Sequence, residues 1–196
     1  ANDIARASLG ASTWLGIGAA LVVFFGAGPL LGLLDSPGPV LAIGEPYLQM
    51  LALALLLDAY NASMASVMRA HLRTRDAMLN ILSMHALHLL LCLPLMRGFG
   101  PIPAFGLPGF ALAMAISRAF GVAIHLLLWR WRLRLVPSAR DWWMLRTERL
   151  GPVLHIGLPG AAENVAYRLA MLASLTAVAG MGTAQLATHT YASQVM

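Results

Sequence analysis

The chain has 196 residues, of which 59% are hydrophobic and only 11% are charged, and its mean hydropathy is +0.74. A soluble domain carries roughly 25% charged residues, so this composition excludes an ordinary soluble domain and indicates a surface that faces lipid. The single cysteine, Cys92, excludes an internal disulfide framework. The formal charge of +5 comes from arginines at the ends of apolar runs, which is typical of membrane topology and predicts no nucleic-acid partner.

Five apolar segments are long enough to cross a hydrocarbon layer of about 30 Å, which takes about 20 helical residues. The sequence therefore predicts an all-α, polytopic transmembrane helix bundle. A sixth apolar segment begins after residue 183, and we expect its remainder to lie beyond Met196. The five predicted spans are residues 9–34, 40–68, 77–96, 105–128 and 150–179.

A basic, tryptophan-rich connection after the fourth span predicts the domain organisation. Residues 1–134 are predicted as the end of a first transmembrane bundle, 135–149 as a cytoplasmic linker, and 150–196 as the start of a second bundle. Transporters built from repeats have two such halves. No cleavable signal precedes the first span, so we expect an internal part of a longer transporter whose missing remainder is a partner of this segment.

The arginines predict an orientation. Ten of them lie on the side that holds residues 1–8, 69–76 and 129–149, whereas only Arg97 lies in the opposite loops. Cytoplasmic loops of membrane proteins carry an excess of basic residues. We therefore expect a multi-pass protein of the cell (inner) membrane with its arginine-rich loops in the cytoplasm.

Ionisable side chains inside membrane spans are costly, so each is a functional candidate. Glu163 lies about three turns into the fifth span, with Tyr167 one turn further on and Asn164 and Arg168 close by in sequence. Two interpretations are open. Glu163 is either a protonatable or cation-binding carboxylate in a central cavity, or one half of a structural ion pair with Arg168.

Asp58 is the second acidic candidate. It lies in the second span with Tyr60 and Asn61 nearby. It lines the same cavity as Glu163, pairs with Arg118 of the fourth span, or caps a contact between helices, and a structural role is favoured.

His85, His88 and Cys92 share one face of the third span. This spacing is compatible with metal ligands, but interhelical hydrogen bonding is the favoured role, and we predict no metal site. The sequence contains no nucleotide-binding loop and no nucleophile motif. We therefore predict no enzyme activity and no cofactor, and expect any transport to be driven by an ion gradient.

Five stretches, in order, resemble the MATE (multidrug and toxic compound extrusion) family. The first, Val-Met-Arg-Ala-His-Leu-Arg-Thr-Arg-Asp-Ala-Met, is similar to that family's Arg-Ala/Gly-x-Gly-x-Thr-Arg-x-x-Met loop, although Leu72 stands where the family usually has glycine. The third, Ala-Met-Ala-Ile-Ser-Arg, is similar to its Ala-Thr-x-Ile-Ser-Arg pattern. The five stretches are residues 67–78, 100–109, 113–118, 156–163 and 182–189.

The resemblance implies that these spans are helices three to seven, with the start of helix eight, of a twelve-helix fold. In that family two six-helix bundles surround a central cavity and export organic cations and drugs in exchange for H⁺ or Na⁺. The implied cargo is a small-molecule cation, and the coupling ion is H⁺ or Na⁺. The candidate cation- and substrate-binding residues are Glu163, Tyr167, Asn164, Arg168 and Asp58.

Two alternatives differ in cargo or in class. A lipid-linked-oligosaccharide flippase of the same superfamily shares the architecture, but usually lines its cavity with several basic residues, whereas only Arg118 and Arg168 lie within predicted spans here. An intramembrane metalloenzyme using His85 and His88 is the alternative from a different class. Stoichiometric zinc in the purified protein would favour the enzyme.

Overall fold

The structure, a computed structural model, describes residues 2–33, 38–100, 103–145 and 147–179. These residues contain helices and no β-strand, so the predicted all-α, polytopic helical bundle is confirmed. Most of the predicted loop 35–39, Arg146, and the predicted loop and sixth segment within 180–196 lie outside the described residues. The fifth stretch of the family resemblance, 182–189, lies outside them as well.

The five predicted spans all form long helices. Short elements occupy the connection after the fourth helix: a π-helical turn at Trp129–Leu133 and a five-residue helix, α5. The helices, in chain order, are α1 (Asn2–Leu33), α2 (Gly38–Ala70), α3 (Thr74–Arg97), α4 (Leu107–Leu128), α5 (Ala139–Trp143) and α6 (Thr147–Ala179).

Four helices of the described residues are long and apolar enough to cross a membrane, and they correspond to the first four predicted spans. Their apolar stretches are Asp3–Pro29, Ala42–Ala70, Thr74–Arg97 and Leu107–Leu133. Helix α6 is long enough to span, but Glu163, Asn164 and Arg168 lower its mean hydropathy, and it is not among the four. Its crossing of the membrane stays a prediction.

The first compact unit of the chain, Ala1–Thr147, contains α1 to α5. Helix α1 packs along α2, while α4 packs against both α2 and α3. The largest buried side chains gather where the arginine-rich ends of these helices meet. Trp129 is fully buried there, and its indole nitrogen donates to the carbonyl oxygen of Met64 at 3.3 Å. This core is formed mainly by Leu9, Met64, Met68, Val122, Trp129 and Leu135.

The chain reverses direction after α4. Arg134 adopts a left-handed conformation (φ 54°, ψ 31°), and the backbone nitrogen of Leu135 donates to the carbonyl oxygen of Trp129 at 3.0 Å. Ser138 and Asp141 then form a capping box that starts α5. Because Leu135 belongs to the core and Trp142 packs against it, the first part of the predicted linker is folded onto the bundle.

Helix α5 lies directly against α1. A Cβ atom added at Gly10 would collide with the carbonyl oxygen of Met144, so only glycine allows this approach. The indole nitrogen of Trp14 donates to the carbonyl oxygen of Trp143 at 3.0 Å. The second unit, Glu148–Met196, contributes α6 to the described part of the chain, and nearly all of the described side chains of α6 are exposed within it.

Candidate functional site

An ion pair joins α2 to α4 in the middle of the first unit. Nε of Arg118 lies 2.6 Å from Oδ1 of Asp58. The Arg118 side chain is 12% exposed and the Asp58 side chain is 42% exposed. The predicted pairing of these two residues is therefore present. It neutralises the Asp58 carboxylate, which makes Asp58 a poorer anchor for a cationic substrate than its position in the sequence suggested.

A cavity of about 290 Å³ lies beside this ion pair, between α2, α3 and α4. Its walls combine apolar groups such as Ile81 and Met84 with four ionisable side chains. The buried Nη1 of Arg118 has no hydrogen-bond partner among the described residues. The ionisable side chains in the cavity wall are Asp58, Arg69, His85 and Arg118.

A buried polar cluster holds the same three helices together. Nδ2 of Asn80 donates to the carbonyl oxygen of Gly121 at 3.0 Å and lies 2.8 Å from Nδ1 of His125. Nδ2 of Asn61 donates to the carbonyl oxygens of Leu57 and Arg118 at 3.0 and 2.9 Å. A buried amide or imidazole that found no partner would cost free energy, so these bonds fix α2, α3 and α4 in one register.

The sequence alone did not single out Asn80 or His125, although both are polar residues within apolar spans. Because His125 is 1% exposed, it is a packed part of the bundle. Nδ1 of His125 also lies 3.2 Å from Oδ1 of Asn61, and Nε2 has no partner in the described part of the chain. A polar residue within an apolar span indicates a buried contact or a functional site. The sequence does not show which residues it contacts, because the partners here come from three different helices.

The histidines of α3 do not converge on a metal site. His85 lines the cavity beside Asp58, whereas the ring of His88 packs edge-on against Phe110 with centroids 4.8 Å apart. The thiol of Cys92 contacts the sulfur of Met96 at 3.5 Å. No group of three metal-ligating side chains exists among the described residues, so this region gives the metalloenzyme alternative no ligand set.

Glu163 lies on α6, and its side chain is exposed within the second unit. No ion pair links it to Arg168 in the described residues of α6, so the structural pairing expected as one alternative is wrong in this structure. The physical reason is helical geometry. Five residues correspond to about 500° of rotation, which places the two side chains about 140° apart around the helix.

Tyr167 shares the face of Glu163, because four residues correspond to about 400° of rotation, and its side chain is 64% exposed. Asn164 is also exposed on α6. It lies about 40° from Arg168 around the helix, so these two residues share a face that differs from the face of Glu163. Helical periodicity thus places Glu163 and Tyr167 on one face of α6. Asp58 belongs to the first unit and Glu163 to the second.

Residues 1–94 match the model of the MatE family. The family resemblance is confirmed. The chain is also 25% identical over 195 residues to an uncharacterized transporter, YisQ, of Bacillus subtilis (strain 168). That alignment covers 100% of this chain and 43% of the relative, so the chain spans less than half the length of the curated relative that it matches. No solved structure matches the chain.

The MatE match covers α1, α2 and most of α3, which are the helices that carry Asp58 and His85. Together with the four spans of the described residues, it makes the chain part of a multi-pass membrane protein.

Proposed function

We propose that this chain is part of a secondary active transporter that exports organic cations, including drugs, in exchange for H⁺ or Na⁺. The MatE match and the relative named as a transporter support the transport function. The arginine distribution supports a location in the cell membrane with the arginine-rich loops in the cytoplasm. The rest of the cavity would come from the remainder of the protein.

The observation that carries the cation-binding role is the state of the two acidic candidates. Asp58 is neutralised by Arg118 at 2.6 Å, whereas Glu163 makes no ion pair with any described residue. An unneutralised carboxylate attracts a cation, and protonation or Na⁺ binding then releases that cation. Tyr167 on the same face supplies an aromatic ring on which a delocalised cation can stack. Asn164 and Arg168 are proposed to line the neighbouring face of α6.

The experiment is transport by the full-length protein with Glu163→Gln in membrane vesicles. Glutamine keeps the volume and hydrogen bonding of the side chain but cannot cycle its charge, so ion-driven cation efflux is expected to stop. Because Glu163 is exposed and has no ion pair with Arg168, expression and thermal stability should remain at the level of the unmodified protein. Normal efflux by a well-folded Glu163→Gln protein would remove Glu163 from the mechanism.

Glu45→Gln is the matched control for this experiment. It makes the same chemical change in the first third of α2, where the Glu45 carboxylate lies beside Gly28. Efflux is expected to continue in this variant. If both variants lose efflux equally, the loss follows from removing a negative charge anywhere in the bundle, and Glu163 has no special role.

A specific observation favours a second candidate, the lipid-linked-oligosaccharide flippase. Arg69 and Arg118 line one cavity, and Nη1 of Arg118 lacks a partner in the described part of the chain, as a site for phosphate groups requires. Transport of a fluorescent phospholipid-linked sugar by reconstituted full-length protein tests this candidate. Flipping of that substrate without efflux of any cation would replace the first proposal with the second.

A further inference from the structure

A groove of about 490 Å³ opens between the arginine-rich end of α4 and the segment that follows it. One wall is the apolar face of α4, and the other is the chain that returns after the left-handed turn at Arg134. The α4 wall lies at the end of the membrane-spanning stretch Leu107–Leu133, and the other wall follows that stretch. The lining includes Ala123, Leu126, Leu127, Arg130, Val136 and Trp142.

The groove has the two parts of a lipid site. Its body is apolar, with Leu127 46% and Val136 56% exposed, which suits an acyl chain. Arg130 stands in its lining at the end where Arg132 and Arg134 follow. Nε of Arg132 lies 3.7 Å from Oδ2 of Asp76, so Arg132 has an acidic partner. Arg130 and Arg134 form no ion pair with any described residue. Their positive charge is therefore available to a ligand.

The surroundings anchor this end of α4 at the membrane surface. Trp131 is 71% exposed and follows Arg130 directly, and exposed tryptophans and arginines gather where hydrocarbon meets headgroups. Basic pockets on the cytoplasmic side of membrane proteins bind anionic lipid headgroups. The arrangement of one apolar groove and one free guanidinium at its end complements a phospholipid with a negatively charged headgroup.

We propose that this groove binds an anionic phospholipid of the cytoplasmic leaflet. One acyl chain lies against Leu126, Leu127 and Val136, and the headgroup phosphate accepts hydrogen bonds from the Arg130 guanidinium. The site lies outside the cation-binding face of α6, so its occupancy can be measured without any transport.

The experiment is native mass spectrometry of the purified chain, delipidated and then titrated with equal amounts of phosphatidylglycerol and phosphatidylcholine. The unmodified chain should retain phosphatidylglycerol in preference to phosphatidylcholine by about threefold or more. Arg130→Gln should abolish this preference while phosphatidylcholine adducts persist. Ala123→Phe, which fills the groove from α4, should reduce adducts of both lipids.

Arg140→Gln is the matched control, because Arg140 is an exposed arginine of α5 outside the groove lining. This variant should keep the preference for phosphatidylglycerol. Equal loss in Arg130→Gln and Arg140→Gln would show a diffuse surface charge effect and overturn the site. An unchanged preference in Arg130→Gln would also overturn it, as would an unmodified chain that retains neither lipid.

Discussion

Leu72 occupies the turn between α2 and α3 in a left-handed conformation, with φ 59°. Its backbone nitrogen donates to the carbonyl oxygen of Arg69 at 3.0 Å, and that of Arg73 donates to the carbonyl oxygen of Met68 at 2.9 Å. This pair of bonds is a Schellman motif, whose left-handed position is usually glycine. The departure from the MATE pattern at this residue therefore lies at the position where the backbone favours glycine.

Leu72→Gly is expected to stabilise the protein by about 0.5–1 kcal/mol, because glycine avoids the Cβ clash of the left-handed conformation. The Leu72 side chain is 91% exposed, so its removal costs little packing. Thermal unfolding in detergent measures the effect. Leu90→Gly in the middle of α3, where the side chain is 72% exposed, is the control and should destabilise by about 1 kcal/mol. Destabilisation by both variants would contradict the argument.

The Asp58–Arg118 pair makes a second prediction at the residue scale. Asp58→Asn leaves the 12% exposed Arg118 without its counter-ion. The free energy of unfolding is expected to fall by about 1–3 kcal/mol. This lies between the cost of breaking an exposed ion pair, up to ~1 kcal/mol, and that of breaking a buried one, ~3–5 kcal/mol. Arg118→Gln in the same background should restore part of that loss, since no unpaired charge remains. A double-mutant cycle of unfolding free energies measures the coupling, and additive losses would show that the two charges do not interact.

At the scale of the elements, close contact between α1 and α2 depends on one glycine. A Cβ atom added at Gly16 would lie 2.7 Å from Cδ1 of Leu56 and 3.2 Å from Cβ of Ala59. The same atom added at Gly18 meets nothing within 4 Å. The two glycines are two residues apart on one helix, so they face different directions.

Gly16→Ala is expected to destabilise the bundle by about 1–3 kcal/mol, the usual range for overpacking. Gly18→Ala should be neutral or slightly stabilising, since alanine favours helix more than glycine does. Thermal unfolding of the two variants side by side in the same detergent measures the difference. Equal stability of the pair would mean that α1 and α2 separate easily at this point.

The connection after α4 contains features that the sequence analysis did not predict. Its arginines and tryptophans predicted a hydrophilic linker at the cytoplasmic interface of the membrane, and that assignment stays a prediction. The return of the chain depends on the left-handed Arg134, on the Ser138–Asp141 capping box and on the fit of Met144 against Gly10. The capping box is a local sequence pattern. The contact of Met144 with Gly10 joins residues far apart in sequence, so no local pattern predicts it.

At the scale of the whole molecule, the arginine asymmetry predicts which loops face the cytoplasm. Cysteine labelling tests this in the full-length protein after Cys92 and every cysteine outside this chain are replaced by serine. Leu72→Cys and Phe99→Cys introduce thiols at positions that are 91% and 75% exposed, at opposite ends of α3. A membrane-impermeant maleimide should label Phe99→Cys in intact cells and Leu72→Cys only after permeabilisation. Labelling of both from one side would break the topology.

The sequence by itself determined that the chain is an all-α, polytopic membrane protein, and it predicts the orientation that we propose. In lipid, backbone N–H and C=O groups find no water to bond. An apolar run of about 20 residues therefore forms a helix, in which these groups form hydrogen bonds with each other. The sequence also identified charged residues within the predicted spans, where a charge costs free energy. These are Asp58, Glu163 and Arg118.

Only the tertiary structure decided how these residues are partnered. It paired Asp58 with Arg118 across two helices and joined Asn61, Asn80 and His125 in a buried cluster. Helical periodicity would have excluded the Glu163–Arg168 contact from sequence, but the other partnerships depend on which helices pack together and at what register. Side-chain packing between helices sets that register. The packing depends on close contacts such as those at Gly16 and Gly121, which exist only in the assembled bundle.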